Sequence, residues 1–315
     1  MKKIDFRNAF FDEFVKIAIS DKNVILLTVD TGANSLVKFQ AKYPERFINT
    51  GVAEQQTINL AAGLALTGKK VFIFSLLSFI SMRCFEQIKL NICSLKLPVT
   101  IIGLGTGLSF SNYGAPGHGV IDIGLMRMLP EMKILNPSDP VSASSAAKIA
   151  YQSKTPVYVR LNKGQEYPIY NDKTNFSKGY QEVFVGKDIC IISTGNIIKN
   201  IIKCQKDLKK KRIQIGLIDL IQINPINKKE LINSLKKYKK IITIEENILN
   251  GGIGSLISDL VNDNNLSLVL KRIALKNEQC FKYGSIEWLY KYYSIDEKSL
   301  FKTISDVSKK SFPKK

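Results

Sequence analysis

His118 is the only histidine in a chain of 315 residues, and that scarcity already removes several kinds of chemistry. Protein zinc sites draw on histidines and closely spaced cysteines. Here the five cysteines, Cys84, Cys93, Cys190, Cys204 and Cys280, never fall in a Cys-x-x-Cys pair. Their odd number and wide scatter also argue against a disulfide framework, so free thiols in a cytosolic protein are expected. No apolar run reaches the length of a membrane span, and the charged N-terminus lacks the apolar centre of an export signal. A cytoplasmic location with no membrane partner is the expectation.

Acidic residues are also short, 27 against 46 lysines and arginines, for a net charge of +19. The cations gather at Lys209-Lys210-Lys211-Arg212, at Lys236-Lys237-Tyr238-Lys239-Lys240, and in a tail with Lys309-Lys310 and Lys314-Lys315. The first two groups fall near the ends of amphipathic helical patterns, where cations suit the helix dipole and the solvated face. No aromatic RNP-like strand, Gly-x-x-Gly clamp or zinc-finger spacing accompanies them. Nucleic acid is therefore not expected as a partner; an anionic substrate or an acidic partner subunit suits the charge better.

What the chain does contain is a regular alternation of short apolar runs with helical patterns, the signature of an α/β protein with mainly parallel sheets. Val24–Val29, Val71–Ser75, Val99–Gly103, Lys133–Asn136 and Pro156–Arg160 read as strands. Residues 6–20, with Phe6, Phe10, Phe14 and Ile17 on one face, read as the first helix. The spacing predicts two three-layer α/β domains, 1–165 and 187–315, joined by a polar linker over 166–186. Asn250-Gly251-Gly252-Ile253-Gly254-Ser255 has the look of a phosphate-binding turn but lacks the Gly-x-Gly-x-x-Gly spacing, so close packing of helix on strand is the better expectation.

Within this pattern the run Gly51-Val52-Ala53-Glu54-Gln55 stands where an extended segment gives way to a small-residue helix. A carboxylate there is held near a helix N-terminus and beside the crevice beyond the strand ends. On this motif alone, an ordinary first-turn acid favoured by the dipole is the better reading of Glu54.

Three stretches then set the chain in a family. Phe47-Ile48-Asn49-Thr50-Gly51-Val52-Ala53-Glu54-Gln55, Leu125-Met126-Arg127-Met128-Leu129-Pro130-Glu131-Met132 and Pro156-Val157-Tyr158-Val159-Arg160-Leu161 together resemble the thiamine-diphosphate enzymes of the transketolase type. Ile244-Glu245-Glu246-Asn247, followed by Gly251–Ser255, is similar to the C-terminal domain of that family. The resemblance implies a pyrimidine-binding domain followed by a C-terminal domain. The family's diphosphate-binding domain carries Gly-Asp-Gly and a downstream Asn that hold magnesium, yet no Asp-Gly dipeptide occurs here, and no such domain is expected ahead of Met1. A separate subunit is thus expected to supply most of the Mg2+ and diphosphate contacts, in a heterotetramer.

By the same resemblance, Glu54 hydrogen-bonds the aminopyrimidine of thiamine diphosphate and promotes its activation. Phe79 falls where the family places an aromatic stacked on the pyrimidine, although core packing beside Phe74, Ile80 and Phe85 also accounts for it. Asp30 matches a family aspartate facing the cofactor cleft, or else simply forms the turn before Gly32. Arg160 lies where relatives bind a substrate phosphate, a task for which its fork is suited; a surface ion pair is the alternative. His118 falls, after a one-residue shift, at a family histidine near the reacting carbon, able to move protons or bind a sugar hydroxyl.

The expected function is transfer of a two-carbon ketol unit from a ketose to an aldehyde by a split transketolase-like enzyme, of which this chain is one subunit. The beta subunit of a 2-oxoacid dehydrogenase decarboxylating component has the same two domains, and a non-catalytic assembly subunit would keep the fold. Gly105 and Ser111-Asn112-Tyr113 replace a histidine and an acid found in relatives that act on phosphorylated sugars. The small-molecule sugar substrate is therefore left open between a sugar phosphate, a nucleotide-linked sugar and a 2-oxoacid donor.

Overall fold

Strands that are apolar on both faces need helices on both sides, and the first sheet is covered in this way. The computed structural model describes residues 2–187 and 189–309; Asp188 and the tail residues Lys310, Lys314 and Lys315 lie outside them. The N-terminal half supplies strands β1 (Ile4–Asp5), β2 (Val24–Thr28), β3 (Phe47–Asn49), β4 (Lys70–Leu76), β5 (Thr100–Leu104), β6 (Lys133–Leu135), β7 (Val157–Leu161) and β8 (Gln165–Glu166). Its helices are α1 (Phe6–Ser20), α2 (Val37–Lys42), α3 (Glu54–Leu66), α4 (Leu77–Met82), α5 (Phe85–Gln87), α6 (Asp122–Arg127) and α7 (Pro140–Gln152). The C-terminal half adds β9 (Tyr180–Phe184), β10 (Ile189–Ser193), β11 (Ile215–Leu220), β12 (Gln222–Asn224), β13 (Lys240–Ile248) and β14 (Val269–Leu275). With them come α8 (Ile198–Lys210), α9 (Lys228–Leu235), α10 (Ile253–Asp263), α11 (Ile286–Tyr292) and α12 (Glu297–Lys309).

The first sheet has the order β12-β6-β7-β5-β4-β2-β3 and is parallel except at β12. Side chains along a strand alternate between faces. Accordingly Val24 and Leu26 of β2, with Phe72 and Phe74 of β4, join a core under α1 and α7. Ile25 and Leu27, with Val71 and Ile73, turn the other way into a core shared with α3 and α4. The phenylalanine face expected on α1 is present: Phe11 and Phe14 lie 4.6 and 5.0 Å, centroid to centroid, from Phe74 and Phe72. The second sheet, β14-β13-β10-β11-β9, is parallel except at its β9 edge and has α8, α11 and α12 on one face. Both sheets are thus α/β layers with mostly parallel strands.

Two strands depart from the expected domain pattern. Residues 180–184, read from sequence as part of the linker 166–186, form β9, the antiparallel edge of the second sheet. Residues 222–224 leave that sheet and pair as β12 with β6, at the edge of the first. Both are edge strands with polar residues, and so lack the continuous apolar run that marks a central one. The two halves also share one hydrophobic core, which runs from Ile101 and Tyr158 through to Ile192, Ile218 and Ile257. Among the described residues no helix is long and apolar enough to cross a membrane.

A buried polar hub holds the linker between the halves. Asp139 caps α7 by accepting from Ser142 N at 2.8 Å, and its second oxygen accepts from the backbone N–H groups of Ile169 and Tyr170. Asp219, on β11, accepts from Ser138 Oγ at 2.5 Å and Tyr170 OH at 2.6 Å. Burial pushes the Asp219 carboxyl from its ordinary 3.8 up to about 7, against the pull of those two hydrogen bonds. Between these two values the unfolded chain releases the proton while the folded chain keeps it, so rising pH lowers stability there. Asp219→Asn abolishes that titration. Relative to the parent, its stability should improve by a few kcal/mol at most between about pH 4 and pH 7. Melting both proteins across that range is the check, and a constant difference would show that Asp219 does not titrate within it.

Candidate active site

The loops that leave the C-terminal ends of β2, β3, β4 and β5 gather at one edge of the first sheet, where open α/β sheets place ligands. The turn from β3 into α3 is tightly specified. Gly51 has φ +67°, a backbone region that suits glycine. Thr50 N donates to Thr28 O at 2.9 Å, and Thr50 Oγ1 lies 2.6 Å from Thr57 Oγ1 on the helix. This clamp delivers Glu54 as the first residue of α3, only 3% exposed. A dipole-favoured surface acid would face solvent; Glu54 is buried. Its Oε2 accepts from Arg83 Nη1 at 2.9 Å, and among the described residues no hydrogen bond occupies Oε1.

Phe79 sits on α4, four residues before Arg83, so the two side chains share a face. The Arg83 guanidinium lies 4.9 Å from the centre of the Phe79 ring. Leu77 and Ile80 on the same helix are fully buried, whereas Phe79 is half-buried and belongs to no hydrophobic cluster. Core packing therefore does not account for it. Arg83 is not among the candidates that the sequence offers; its four-residue interval from Phe79 is the signal that points to it.

Helix α4 also fastens the glycine-rich loop that follows β5. Ser78 Oγ donates to Pro116 O at 2.6 Å, and Gly107 and Gly119 exchange both backbone hydrogen bonds, closing the loop on itself. Gly119 approaches closely: a Cβ there would lie 2.5 Å from Leu77 Cδ2. The loop thereby carries His118 into the interior, at 2% exposure. It lines a cavity of about 260 Å³ with Met82, Ala115 and Ile121 on one side and Ile248, Gln279 and Cys280 of the C-terminal half on the other. Among the described residues neither ring nitrogen has a hydrogen-bond partner. Burial lowers the His118 pKa from 6.5, outweighing the opposite pull of the nearby Cys280 and Ser111 backbone, so the imidazole is neutral at neutral pH. It is available there to accept a proton.

Asp30 and Arg160 fare differently. Asp30 has φ +50° and is exposed; its N–H donates to Asn49 Oδ1 at 3.1 Å, and Asn49 Nδ2 approaches Asp30 Oδ1 at 3.4 Å. It shapes the turn beyond β2, on the same sheet edge as Glu54, and among the described residues it has no hydrogen bond or ion pair with Glu54 or Arg83. Arg160 is neither a surface pair nor an open phosphate fork. Its Nε donates to Asp122 Oδ2 at 2.6 Å, and its Nη2 to Asp122 Oδ1 at 3.0 Å and Gly119 O at 3.1 Å. Both residues are buried, and Tyr158 OH adds a bond to Asp122 at 3.0 Å. These bonds engage Nε and Nη2 of the guanidinium and anchor Arg160 structurally, so the expected substrate role falls to its remaining nitrogen, Nη1. Asp122 was not visible as its partner because 38 residues separate them.

The glycine turn before α10 is likewise filled from within. Glu245 accepts from Ile253 N and Gly254 N, both at 2.8 Å, and a Cβ on Gly252 would come within 2.0 Å of its Oε2. An internal carboxylate thus occupies the helix N-terminus that a phosphate would need. Among the described residues, no group of three or more His, Cys, Asp or Glu side chains could hold a metal ion.

Known proteins share this order of domains. The family described as "Transketolase, pyrimidine binding domain" matches residues 2–168, and "Transketolase, C-terminal domain" matches residues 180–300. A protein of Methanocaldococcus jannaschii named putative transketolase C-terminal section is 31% identical over 308 residues, covering 96% of each chain. A protein of Actinobacillus succinogenes, named as one of the subunits of an apulose-4-phosphate transketolase, is 29% identical over 296 residues, covering 93% of this chain and 95% of that one. Among solved structures, a split-gene transketolase described as an inactive beta4 tetramer superposes with a TM-score of 0.86 at 25% identity, over 97% of this chain and 98% of that one. With one domain model matched over residues 2–168 and the other over 180–300, the chain belongs to the transketolase family and carries its pyrimidine-binding and C-terminal domains.

Proposed function

We propose that this chain is the pyrimidine-side subunit of a two-chain, thiamine-diphosphate-dependent enzyme that moves a two-carbon ketol unit from a ketose to an aldehyde. The observation that carries this reading is Glu54: a buried carboxylate with one oxygen anchored by Arg83 and the other unbonded, beside a half-exposed Phe79 ring. The Actinobacillus relative, whose name makes it one subunit of a transketolase, and the split-gene transketolase of the same fold support a partner chain.

The residues present fit the aminopyrimidine half of the cofactor. Glu54 Oε1 can hold or share a proton with a ring nitrogen, and Arg83 fixes the carboxylate while it does so. Phe79 offers a ring face for stacking. The cofactor, when bound, supplies the nucleophilic carbon and the electron sink for carbon–carbon bond cleavage. Neutral His118, itself buried at the wall of the cavity, is suited to take a proton from a substrate hydroxyl and return it. We assign the magnesium and diphosphate contacts to the partner, because the Gly-Asp-Gly motif that serves them in the family is missing from this sequence.

Calorimetric titration of thiamine diphosphate with Mg2+ into this chain, into a chain carrying Gly-Asp-Gly with a downstream Asn, and into their mixture tests the scheme. Tight, saturable binding is expected from the mixture only, together with ketol transfer. Tight binding by this chain alone would overturn it.

A further inference from the structure

Beside the His118 cavity lies a group of aromatic side chains turned towards solvent. Tyr113, Phe281, Tyr283, Trp288 and Tyr292 are all exposed, Tyr283 at 71% and Trp288 at 46%. They are neighbours. Gly284 N donates to Ser111 O at 3.1 Å, which ties the segment after β14 to the glycine-rich loop. A Cβ on Gly114 would stand 3.8 Å from Tyr283, and one on Gly284 would stand 3.3 Å from the Trp288 ring. Trp288 and Tyr292 stack with centroids 5.4 Å apart.

Lysines complete the surface. Lys276 and Lys282 lie 5.7 and 5.8 Å from the Tyr292 ring centre, and Lys163 lies 5.6 Å from that of Tyr113. Lys276 reaches Glu278 at 3.9 Å; Lys163 and Lys282 have no ion-pair partner among the described residues. Exposed rings with ammonium groups above them suit a ligand that has both a flat π face and several negative charges. The location narrows the choice further. Gln279 and Cys280 line the His118 cavity, and the chain passes directly from them to Phe281, Lys282 and Tyr283. A ligand lying on the rings would have its far end at the cavity mouth.

We propose that this surface binds the base and diphosphate of a nucleotide-linked sugar whose sugar end enters the cavity holding His118. The inference rests on the ketol-transfer reading of that cavity and names the class of substrate it would take. The rings stack the base, Lys163 and Lys282 meet the diphosphate, and the 260 Å³ cavity receives the sugar.

Trp288 is the only tryptophan of the chain, so its fluorescence reports on this surface directly. The full-length chain should be titrated with uridine diphosphate, adenosine diphosphate, inorganic diphosphate and ribose 5-phosphate. Saturable quenching by the nucleoside diphosphates is expected, with much weaker effects from the other two. The double variant Lys163→Ala/Lys282→Ala, which changes only exposed side chains, should keep the circular dichroism spectrum and bind at least about tenfold more weakly. Equal responses to inorganic diphosphate and to nucleotides would overturn the proposal, because the base would not be read. A response only to added partner chain would overturn it too, marking the surface as a protein interface. Ketol transfer between simple sugar phosphates without any nucleotide binding would sink this inference and leave the function intact. Failure of cofactor binding by the mixed subunits would sink the ketol-transfer reading and the substrate role with it, and is told apart from failure of nucleotide binding because the fluorescence titration needs no cofactor.

Discussion

Glu54→Ala in the reconstituted enzyme is expected to lower kcat by about 10²- to 10⁴-fold, the range a positioned proton-transfer group contributes. The side chain is buried, yet its hydrogen-bond partner Arg83 is 48% exposed, so water can solvate the guanidinium once the carboxylate is gone. Stability should therefore change little, and the loss of rate cannot be put down to unfolding. Glu54→Gln is the sharper probe. It keeps the volume and an acceptor but cannot share a proton, so it should resemble alanine in kcat. Steady-state kinetics beside a thermal melt decide the matter. Full activity in the alanine variant would remove Glu54 from the chemistry and leave it as a helix-terminal acid.

The largest expected effect on folding lies at Asp122. Alanine there leaves the Arg160 guanidinium buried without its counter-charge, a loss of about 3–5 kcal/mol. Tyr158 OH also loses its acceptor, which adds to the cost. Replacing both partners with apolar residues, as in Asp122→Leu/Arg160→Met, should be milder than Asp122→Ala, because the pair is removed whole, although the buried Glu245 and Glu246 lose the field of Arg160. Denaturant unfolding of the three proteins tests the order. If Asp122→Ala is nearly neutral while Arg160→Ala raises KM for a phosphorylated substrate, then Arg160 contacts substrate after all.

Much of the fold was legible because central strands and amphipathic helices write themselves into the apolar pattern. The phenylalanines of α1 and the all-apolar β2 and β10 are of this kind. The strands β9 and β12 were not. Tyr180-Gln181-Glu182-Val183-Phe184 and Gln222-Ile223-Asn224 bury only part of their surface at sheet edges, and it is pairing with a neighbour that makes them strands. At the candidate site, Glu54 and Phe79 became candidates through the family resemblance of the stretches that carry them. The contact between Glu54 and Arg83 could not be read, since it joins the head of α3 to the end of α4 across 29 residues.

His118 shows the same division. A lone histidine in a glycine-rich stretch reads as a mobile loop residue, but the loop is closed on itself, held by Ser78, and carries the imidazole inside. Sequence by itself determined the α/β class, the family, the missing Gly-Asp-Gly motif and the candidate acid, since each depends on residue type and local spacing. Tertiary structure alone decided which charged groups are free to act. Arg160 is taken up by Asp122, Glu245 by the α10 backbone, and Glu54 keeps one oxygen open. Whether a charge is free depends on partners brought near by the chain's path through space, and distance along the sequence carries little record of them.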